Sequence, residues 1–295
     1  MPAFYDQLRG PFAERISFLP DKPEETVDST LRALWFAAAS APRSAQFALE
    51  GELPELRMEN VQVLERLISQ RLSGVPLAHL TGRQRFMGME MLAGPDALVP
   101  RKETELLAQA AIDLTRESTS NGKTVTTIDV CTGSGNIALS IAQHVPGAAV
   151  FAADLSESAV ELARRNAEHL GLDRVRFSAG DLLEPFDTPE FLGGVSMLTC
   201  NPPYIASAKV ARMSEEIAAH EPRLAFDGGA LGIGILMRLI QQAPRFLVPG
   251  GWLAFEVGLG QGPALVKRLS GMPAYAAVTT STDADGAIRV IMARC

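Results

Sequence analysis

At 295 residues, with 47% hydrophobic and 21% charged side chains, the chain has an ordinary globular composition, long enough for one large domain or two. A net charge of −7 argues against a general binder of phosphate backbones, which needs a basic face. Three cysteines without close spacing suit neither a disulfide framework nor a zinc site, so no metal and a reducing, cytoplasmic compartment are expected.

The start, "MPAFYDQLRG", has no apolar signal core, and no run approaches the ~20 apolar residues of a membrane span. Up to about Gly82 the chain reads as helices. "ETVDSTLRALWFAAASAPRSAQFAL" and "MENVQVLERLISQRLSG" place Leu31, Leu34, Val61, Leu64 and Ile68 at helical spacing, and Gly74 and Pro76 end the second run. The stretch 83–110 then predicts a short hairpin followed by a helix opening near Lys102. From Thr124 onward strands alternate with helices, the pattern of a parallel sheet with crossover helices. The strands are "TVTTIDV", "AAVFAADL", "RVRFSAG", "VSMLTC" and "GWLAFEVG", with "NIALSIAQHV" and "ESAVELARRNAEHLG" as helices between them. In the tail, Asp285-Gly286 between two β-rich runs predicts a hairpin. The expected architecture is α/β, a Rossmann-like sheet closed by an antiparallel hairpin, with divisions at 1–82, 83–110 and 111–295.

"IDVCTGSGNIAL" joins the first of these strands to its helix through Gly133 and Gly135. Glycines allow the backbone close to a ligand, and the helix beyond offers free N–H groups. Such loops serve dinucleotides, phosphates or adenosyl ligands, and a plain tight turn looks the same. Two carboxylates narrow the choice. Asp154 ends the second strand, where an acid accepts hydrogen bonds from ribose hydroxyls, and Asp181 ends the third, where an acid meets an adenine edge. One such Asp is ordinarily a helix cap. Together with the loop, which lacks the G-x-G-x-x-G order of a pyrophosphate site, they resemble the S-adenosylmethionine (SAM) site of methyltransferases.

The fourth strand leaves through "CNPPYIAS". Proline keeps its carbonyl but has no N–H, so the corner is rich in acceptors. The Asn201 side-chain oxygen and the Pro202 carbonyl can take both hydrogens of a planar –NH₂ group while Tyr204 stacks on its conjugated face. Holding both hydrogens aims the nitrogen lone pair and stabilises the charge that develops in an in-line methyl transfer. No strong base is required, and none is evident nearby in the sequence. Adenine, guanine and glutamine amines all fit; so does the bland alternative of a rigid turn.

Over nearly its whole length the chain resembles HemK-type protein-(glutamine-N5) methyltransferases, the release factor glutamine methyltransferase family. The segments that carry the resemblance are "GVPLAHLTGRQRFMG", "LVPRKETELL", "DVCTGSGNIALSIA", "ADLSESAVELARRNAEHLGL", "CNPPYI", "HEPRLAFDGG" and "APRFLVPGGWLAFEVGLGQG", in the family's order. The resemblance implies a seven-stranded class I methyltransferase sheet and transfer of a methyl group from SAM, yielding S-adenosylhomocysteine. The acceptor would be the glutamine of the Gly-Gly-Gln motif in peptide chain release factors, with the N-terminal helices docking that protein. A SAM site is implied at Cys131, Thr132, Gly133, Ser134, Gly135, Asp154, Leu155, Asp181, Leu182 and Asn201, and an amide site at Asn201, Pro202, Pro203 and Tyr204. Catalytic roles fall to Asn201, Pro202 and Tyr204. A monomer with no direct nucleic-acid or membrane binding is expected.

Glu103 and Glu105 suit the start of a helix, and His220 and Arg223 suit loop-fixing donors. The chain departs from the family pattern at Cys131, where many members have glycine, at Lys102, in "GGALGIGILMRLI" and in the tail. A small-molecule amide or amine, or a nucleic-acid amine, is the alternative acceptor.

Overall fold

The computed structural model describes residues 2–119, 125–210 and 220–295. They form two compact units. The first comprises Met1–Pro95, Val99–Lys102 and a short stretch ending at Glu221; the second comprises Asp96–Leu98, Glu103–Arg212 and Pro222–Cys295.

The first unit is helical: α1 (Pro2–Ala13), α2 (Val27–Ala38), α3 (Ala45–Glu50), α4 (Met58–Leu72) and α5 (Leu77–Thr81), then a hairpin of β1 (Arg83–Phe86) and β2 (Met89–Leu92). Thr26 caps α2 by accepting from the Ser29 N–H while the Ser29 hydroxyl accepts from the Thr26 N–H, which satisfies two otherwise orphaned donors. Helix α2 is buried around most of its circumference, and Leu34, Trp35 and Phe36 share a core with Leu64 and Leu77. The Trp35 indole donates to the Pro54 carbonyl at 2.8 Å, so the largest core side chain carries no unpaired polar atom. What reads in sequence as one long apolar helix divides into α2 and α3, because Ser40 turns left-handed (φ 60°) and Pro42 follows. Gly74, at φ 94°, ends α4, and the Val75 N–H reaches back to the Gln70 carbonyl at 3.1 Å. Helix α1 carries Pro11 and was not legible as a separate element.

The second unit holds α6 (Glu105–Thr119), β3 (Val125–Val130), α7 (Asn136–His144), β4 (Ala148–Asp154), α8 (Glu157–His169), β5 (Arg176–Ala179), β6 (Val195–Cys200) and α9 (Ser207–Val210), followed by α10 (Gly234–Gln242), β7 (Leu247–Glu256), α11 (Gly262–Ser270), β8 (Ala277–Thr282) and β9 (Ile288–Arg294). Thr124, where the strand–helix alternation begins in sequence, lies outside the described residues. The sheet order is β5-β4-β3-β6-β7-β9-β8. The first five strands are parallel, and β9 pairs antiparallel with both β7 and β8. This is the seven-stranded, hairpin-ended sheet that the sequence predicts. The chain runs outward from β3 through β4 to β5, then returns to place β6 on the other side of β3. That reversal opens a crevice beyond the carboxyl ends of β3 and β6.

Strands β3 and β6 are buried on both faces, as central parallel strands must be. Ile128, Val130, Leu198, Phe255 and Ile291 meet in the core, and Phe151, Phe186 and Phe191 pack edge to face. Two boundaries differ from the sequence expectation. Strand β7 begins at Leu247 rather than at Gly251, where the sequence suggests its start: Leu247 pairs with Val195 of β6 ahead of a register irregularity, and the Gly250 N–H bonds to the Cys295 carbonyl at 2.8 Å. Helix α6 opens at Glu105 rather than near Lys102, leaving Glu103 and Thr104 in the turn before it.

Candidate active site

The loop after β3 owes its shape to three left-handed residues, Cys131 (φ 55°), Gly133 (φ 55°) and Gly135 (φ 83°). At Gly135 a Cβ would stand 3.1 Å from Ala163 Cβ, 3.2 Å from Leu139 Cδ1 and 3.3 Å from Phe177 Cε1, so both space and backbone demand glycine. Cys131 bears the left-handed strain that glycine would avoid, about 1–2 kcal/mol. Thr132 N–H bonds to the Ala153 carbonyl at 3.1 Å and Gly135 N–H to the Thr132 carbonyl at 2.9 Å. Ser134 is buried, with a hydroxyl that has no hydrogen-bond partner among the described residues.

Asp154, at the end of β4, closes the loop. Its Oδ2 accepts from the Gly133 N–H at 2.8 Å and its Oδ1 from the Ser156 N–H at 2.9 Å. Burial raises its pKa against the pull of these backbone donors. Behind it, fully buried Asp129 receives the hydroxyls of Thr132 and Thr199, both at 2.6 Å. Burial pushes the Asp129 carboxyl up to about 7 although the two hydroxyls favour its ionised form. The loop is therefore tied to β4 through Asp154 and to β6 through Asp129.

The remaining residues of the expected SAM site sit differently. Leu155, directly after Asp154, is 58% exposed. Asp181 lies two residues beyond β5, where its Oδ2 accepts from Arg238 Nη2 of α10 at 2.6 Å. Leu182 is left-handed (φ 53°) and buried.

The Asn201–Tyr204 corner leaves the end of β6, the strand beside β3. The Asn201 side chain donates through Nδ2 to the Thr104 hydroxyl at 3.1 Å. Pro202 is buried, while Asn201, Pro203 and Tyr204 are half-buried. The Tyr204 hydroxyl donates to Glu256 Oε1 at 3.1 Å. Glu256 ends β7 at 2% exposure, and burial raises its pKa while the hydroxyls of Thr104 and Tyr204 and the charge of Arg289 oppose the rise. Burial raises the Tyr204 phenol as well, with the Glu256 charge second, so the ring keeps its proton. Gln261 Nε2 donates to the Tyr204 carbonyl at 3.0 Å and to the Gly232 carbonyl at 3.4 Å, joining the corner to the loop before α10. That loop packs so closely that neither Gly228 nor Gly232 has room for a Cβ against the carbonyls of Pro203 and Tyr204. The departure at 230–236 thus lies in a segment that buttresses the corner.

Of the auxiliary residues, Arg223 bonds Asp227 at 3.5 Å, and Asp227 in turn accepts from the Ser207 hydroxyl at 2.5 Å and the Gly229 N–H at 3.1 Å. The largely exposed Arg223 guanidinium reaches Asp227 at the limit of hydrogen-bond length, and the shorter bonds of this loop are those of Asp227. His220 is near enough to His79 for its charge to add to burial in lowering the His79 pKa to about 4. Glu105 occupies the first turn of α6, whereas Glu103 has a buried Oε2 without a hydrogen-bond partner among the described residues.

Sequence reasoning missed four residues. Asp129 begins D-x-C-x-G-x-G but reads as an ordinary strand residue. Thr104 and Glu256 lie far from the corner in the chain, and only the "ETE" of "RKETELL" and the acid ending "WLAFE" hint at them. Glu221, from "HEPRLAFDGG", accepts from the Val99 N–H at 3.1 Å and from Arg101 Nη2 at 2.6 Å, both in "LVPRKETELL". It connects two of the segments that carry the family resemblance.

A family model described as a methyltransferase domain matches residues 121–256. The release factor glutamine methyltransferase of Gloeobacter violaceus is 38% identical over 219 residues, 74% of each chain. That of Xylella fastidiosa (strain 9a5c) is 35% identical over 271 residues, 92% of this chain and 94% of the relative. Among solved structures, the N-terminal domain of human METTL16 in complex with SAH matches with a TM-score of 0.53 at 15% identity, covering 94% of this chain and 97% of that one, a likeness of fold. With identity of this extent to both relatives, the chain belongs to the release factor glutamine methyltransferase family.

Proposed function

We propose that this protein methylates the side-chain amide of the glutamine in the Gly-Gly-Gln motif of peptide chain release factors. S-adenosylmethionine supplies the methyl group as a sulfonium and leaves as S-adenosylhomocysteine. The chain's donor set fits that cofactor. Asp154 spends one lone pair of each oxygen on a backbone N–H and keeps others for ribose hydroxyls. The buried Ser134 hydroxyl awaits a partner, and Gly133 and Gly135 keep the loop backbone bare. Leu155, Asp181 and Leu182 are assigned to the adenosine end, with Arg238 sharing the Asp181 carboxylate.

The observation that carries the acceptor assignment is the Asn201–Thr104 hydrogen bond. With Nδ2 committed to Thr104, Asn201 presents its oxygen, and the Pro202 carbonyl supplies a second acceptor. Together they hold both hydrogens of a planar amide and orient its nitrogen for in-line attack. Tyr204, anchored by Glu256, stacks on the amide plane. Product formation exchanges one amide hydrogen for the methyl group and releases that hydrogen as a proton.

The N-terminal unit serves as the release-factor docking module, and the protein works as a monomer without direct nucleic-acid contact. Among the described residues no helix is long and apolar enough to cross a membrane.

Incubation with tritiated SAM, a purified release factor and the same factor with its motif glutamine replaced by alanine tests the assignment. Label should enter only the intact factor. Equal labelling of both, or labelling of RNA or small molecules from an extract in their place, would overturn it.

A further inference from the structure

Two of the most exposed apolar side chains among the described residues stand beside the Asn201–Tyr204 corner. Leu231 is 77% and Leu259 70% exposed. Each is the chain neighbour of a glycine pressed against Tyr204. A Cβ on Gly232 would collide with the Tyr204 carbonyl oxygen, and one on Gly258 would stand 3.0 Å from Tyr204 Cδ2. Gln261 holds both supports. Its Oε1 accepts from the Gly258 N–H at 2.9 Å, and its Nε2 donates to the carbonyls of Tyr204 at 3.0 Å and Gly232 at 3.4 Å. Both leucines are thus carried on backbone fixed to the corner. A third, Leu224, is 48% exposed and lies two residues before Phe226, whose carbonyl accepts from the Ile205 N–H at 2.9 Å.

Single exposed leucines are ordinary on a protein surface. Three on segments packed against or bonded to Tyr204 and Ile205 make an apolar rim beside a site whose working groups are polar, and such a patch marks an interaction surface. Glycine flanks Leu259 on both sides and follows Leu231, so no bulky chain neighbour covers either. A small amide or amine fills the corner and leaves these leucines in water. A polypeptide that delivers a glutamine must lay its backbone beside the corner. Consecutive Cα atoms are about 3.8 Å apart, and each of the two leucines is one residue from a glycine in contact with Tyr204, so that backbone comes within their reach. In a Gly-Gly-Gln motif the two glycines carry no side chain to meet an apolar rim. The contact therefore falls to the residues that flank the motif.

We propose that Leu231 and Leu259, together with Leu224, form an apolar docking rim for the release-factor loop and take apolar side chains that flank its Gly-Gly-Gln motif. The assignment rests on the reading of the corner as the acceptor site. It gives the catalytic unit its own share in selecting the protein substrate. It also places part of that selectivity in the 230–236 segment, where the chain departs from the family pattern.

Affinity for a purified release factor, measured by calorimetry with the enzyme saturated in S-adenosylhomocysteine, tests the rim without turnover. Leu231→Ser and Leu259→Ser should each raise Kd by roughly 3–10-fold, and the double variant by roughly 10–100-fold, the scale of one and two leucines partly buried by a partner. Leu224→Ser should raise it by less. Affinity for S-adenosylhomocysteine should stay as in the wild type, because the replaced side chains are largely exposed. Leu192, 40% exposed and ahead of β6 at the end of the strand opposite the corner, supplies the control: Leu192→Ser should leave Kd unchanged. An unchanged Kd in the double variant, or an equal rise in Leu192→Ser, would overturn the rim. So would an equal loss of S-adenosylhomocysteine affinity, which would mark a damaged corner. A wild-type dimer in sedimentation that the double variant converts to monomer would overturn it too, since the leucines would then cover a second copy of this chain. Tritium labelling keeps the two readings apart. If the wild type labels the motif glutamine while the double variant binds the factor as tightly, only the rim falls. If the wild type labels no release factor, the acceptor assignment falls and the rim with it.

Discussion

Gly133 and Asp154 are joined by a 2.8 Å hydrogen bond from the backbone N–H of the first to Oδ2 of the second. The residue assigned to the cofactor ribose therefore also shapes the loop in front of it. Asp154→Ala should weaken SAM by about 1–3 kcal/mol, the range for hydrogen bonds to a charged group. It should also lower the melting temperature of the cofactor-free protein, since the N–H groups of Gly133 and Ser156 lose their partner. Calorimetry and a thermal melt measure the two effects separately. Unchanged affinity would remove Asp154 from the ribose.

Ligand linkage predicts the effect of the cofactor itself. At 100 times its dissociation constant, SAM or S-adenosylhomocysteine should stabilise the folded protein by about 2.7 kcal/mol. Thermal melts across a SAM titration test this, and a melting temperature that stays fixed would leave the loop without its assigned ligand.

The two loop glycines should respond unequally to alanine. Both are left-handed, which costs an L-residue about 1–2 kcal/mol. At Gly133 the nearest atom to an added Cβ is Ala97 Cβ at 3.9 Å, so backbone strain is the main cost. At Gly135 three side-chain atoms stand within 3.3 Å, and overpacking adds about 1–3 kcal/mol. Urea denaturation should place Gly135→Ala below Gly133→Ala, and equal midpoints would contradict the packing around α7.

Asp129 makes stability depend on pH. Its folded pKa is about 7, against roughly 3.9 for a free aspartate. Between those values the folded state binds a proton that the unfolded state has lost. Stability from this group therefore falls as pH rises, by up to about 1.4 kcal/mol per unit, and levels off above the folded pKa. In Asp129→Asn that contribution is absent, while the hydroxyls of Thr132 and Thr199 can still pair with the amide. The variant should gain on the wild type between pH 5 and pH 7 in chemical denaturation. A constant difference would mean that Asp129 is ionised throughout.

At the corner, Asn201→Ala should cut turnover by roughly 10²–10³, by analogy with removing one preorganised hydrogen bond from a developing charge. Release-factor affinity should change far less, because docking energy comes from remote surfaces. Single-turnover rates at saturating SAM, beside KM for the factor, distinguish the two. A folded, SAM-saturated variant with near-normal turnover would make the corner a rigid turn.

Much of the molecule is legible one residue at a time. Alternating strands and helices, the Asp285-Gly286 hairpin and the glycine loop depend on local periodicity and on φ values that few residues tolerate, so they are written in short windows. The Asn-Pro-Pro-Tyr corner belongs to the same class, since proline geometry and acceptor count are local properties. Boundaries such as the start of α6 and the early part of β7 were less clear, because partners elsewhere in the chain decide where a helix or strand ends. The polarity of Asn201 could not be read locally at all. Its partner Thr104 is 97 residues away, and Tyr204 meets Glu256 at a separation of 52. A side-chain amide has two ends of nearly equal size and opposite hydrogen-bonding sense, so composition and spacing leave its direction open. Only the tertiary structure, which brings the ends of β6 and β7 and the turn before α6 together in a buried setting, decides which end faces outward.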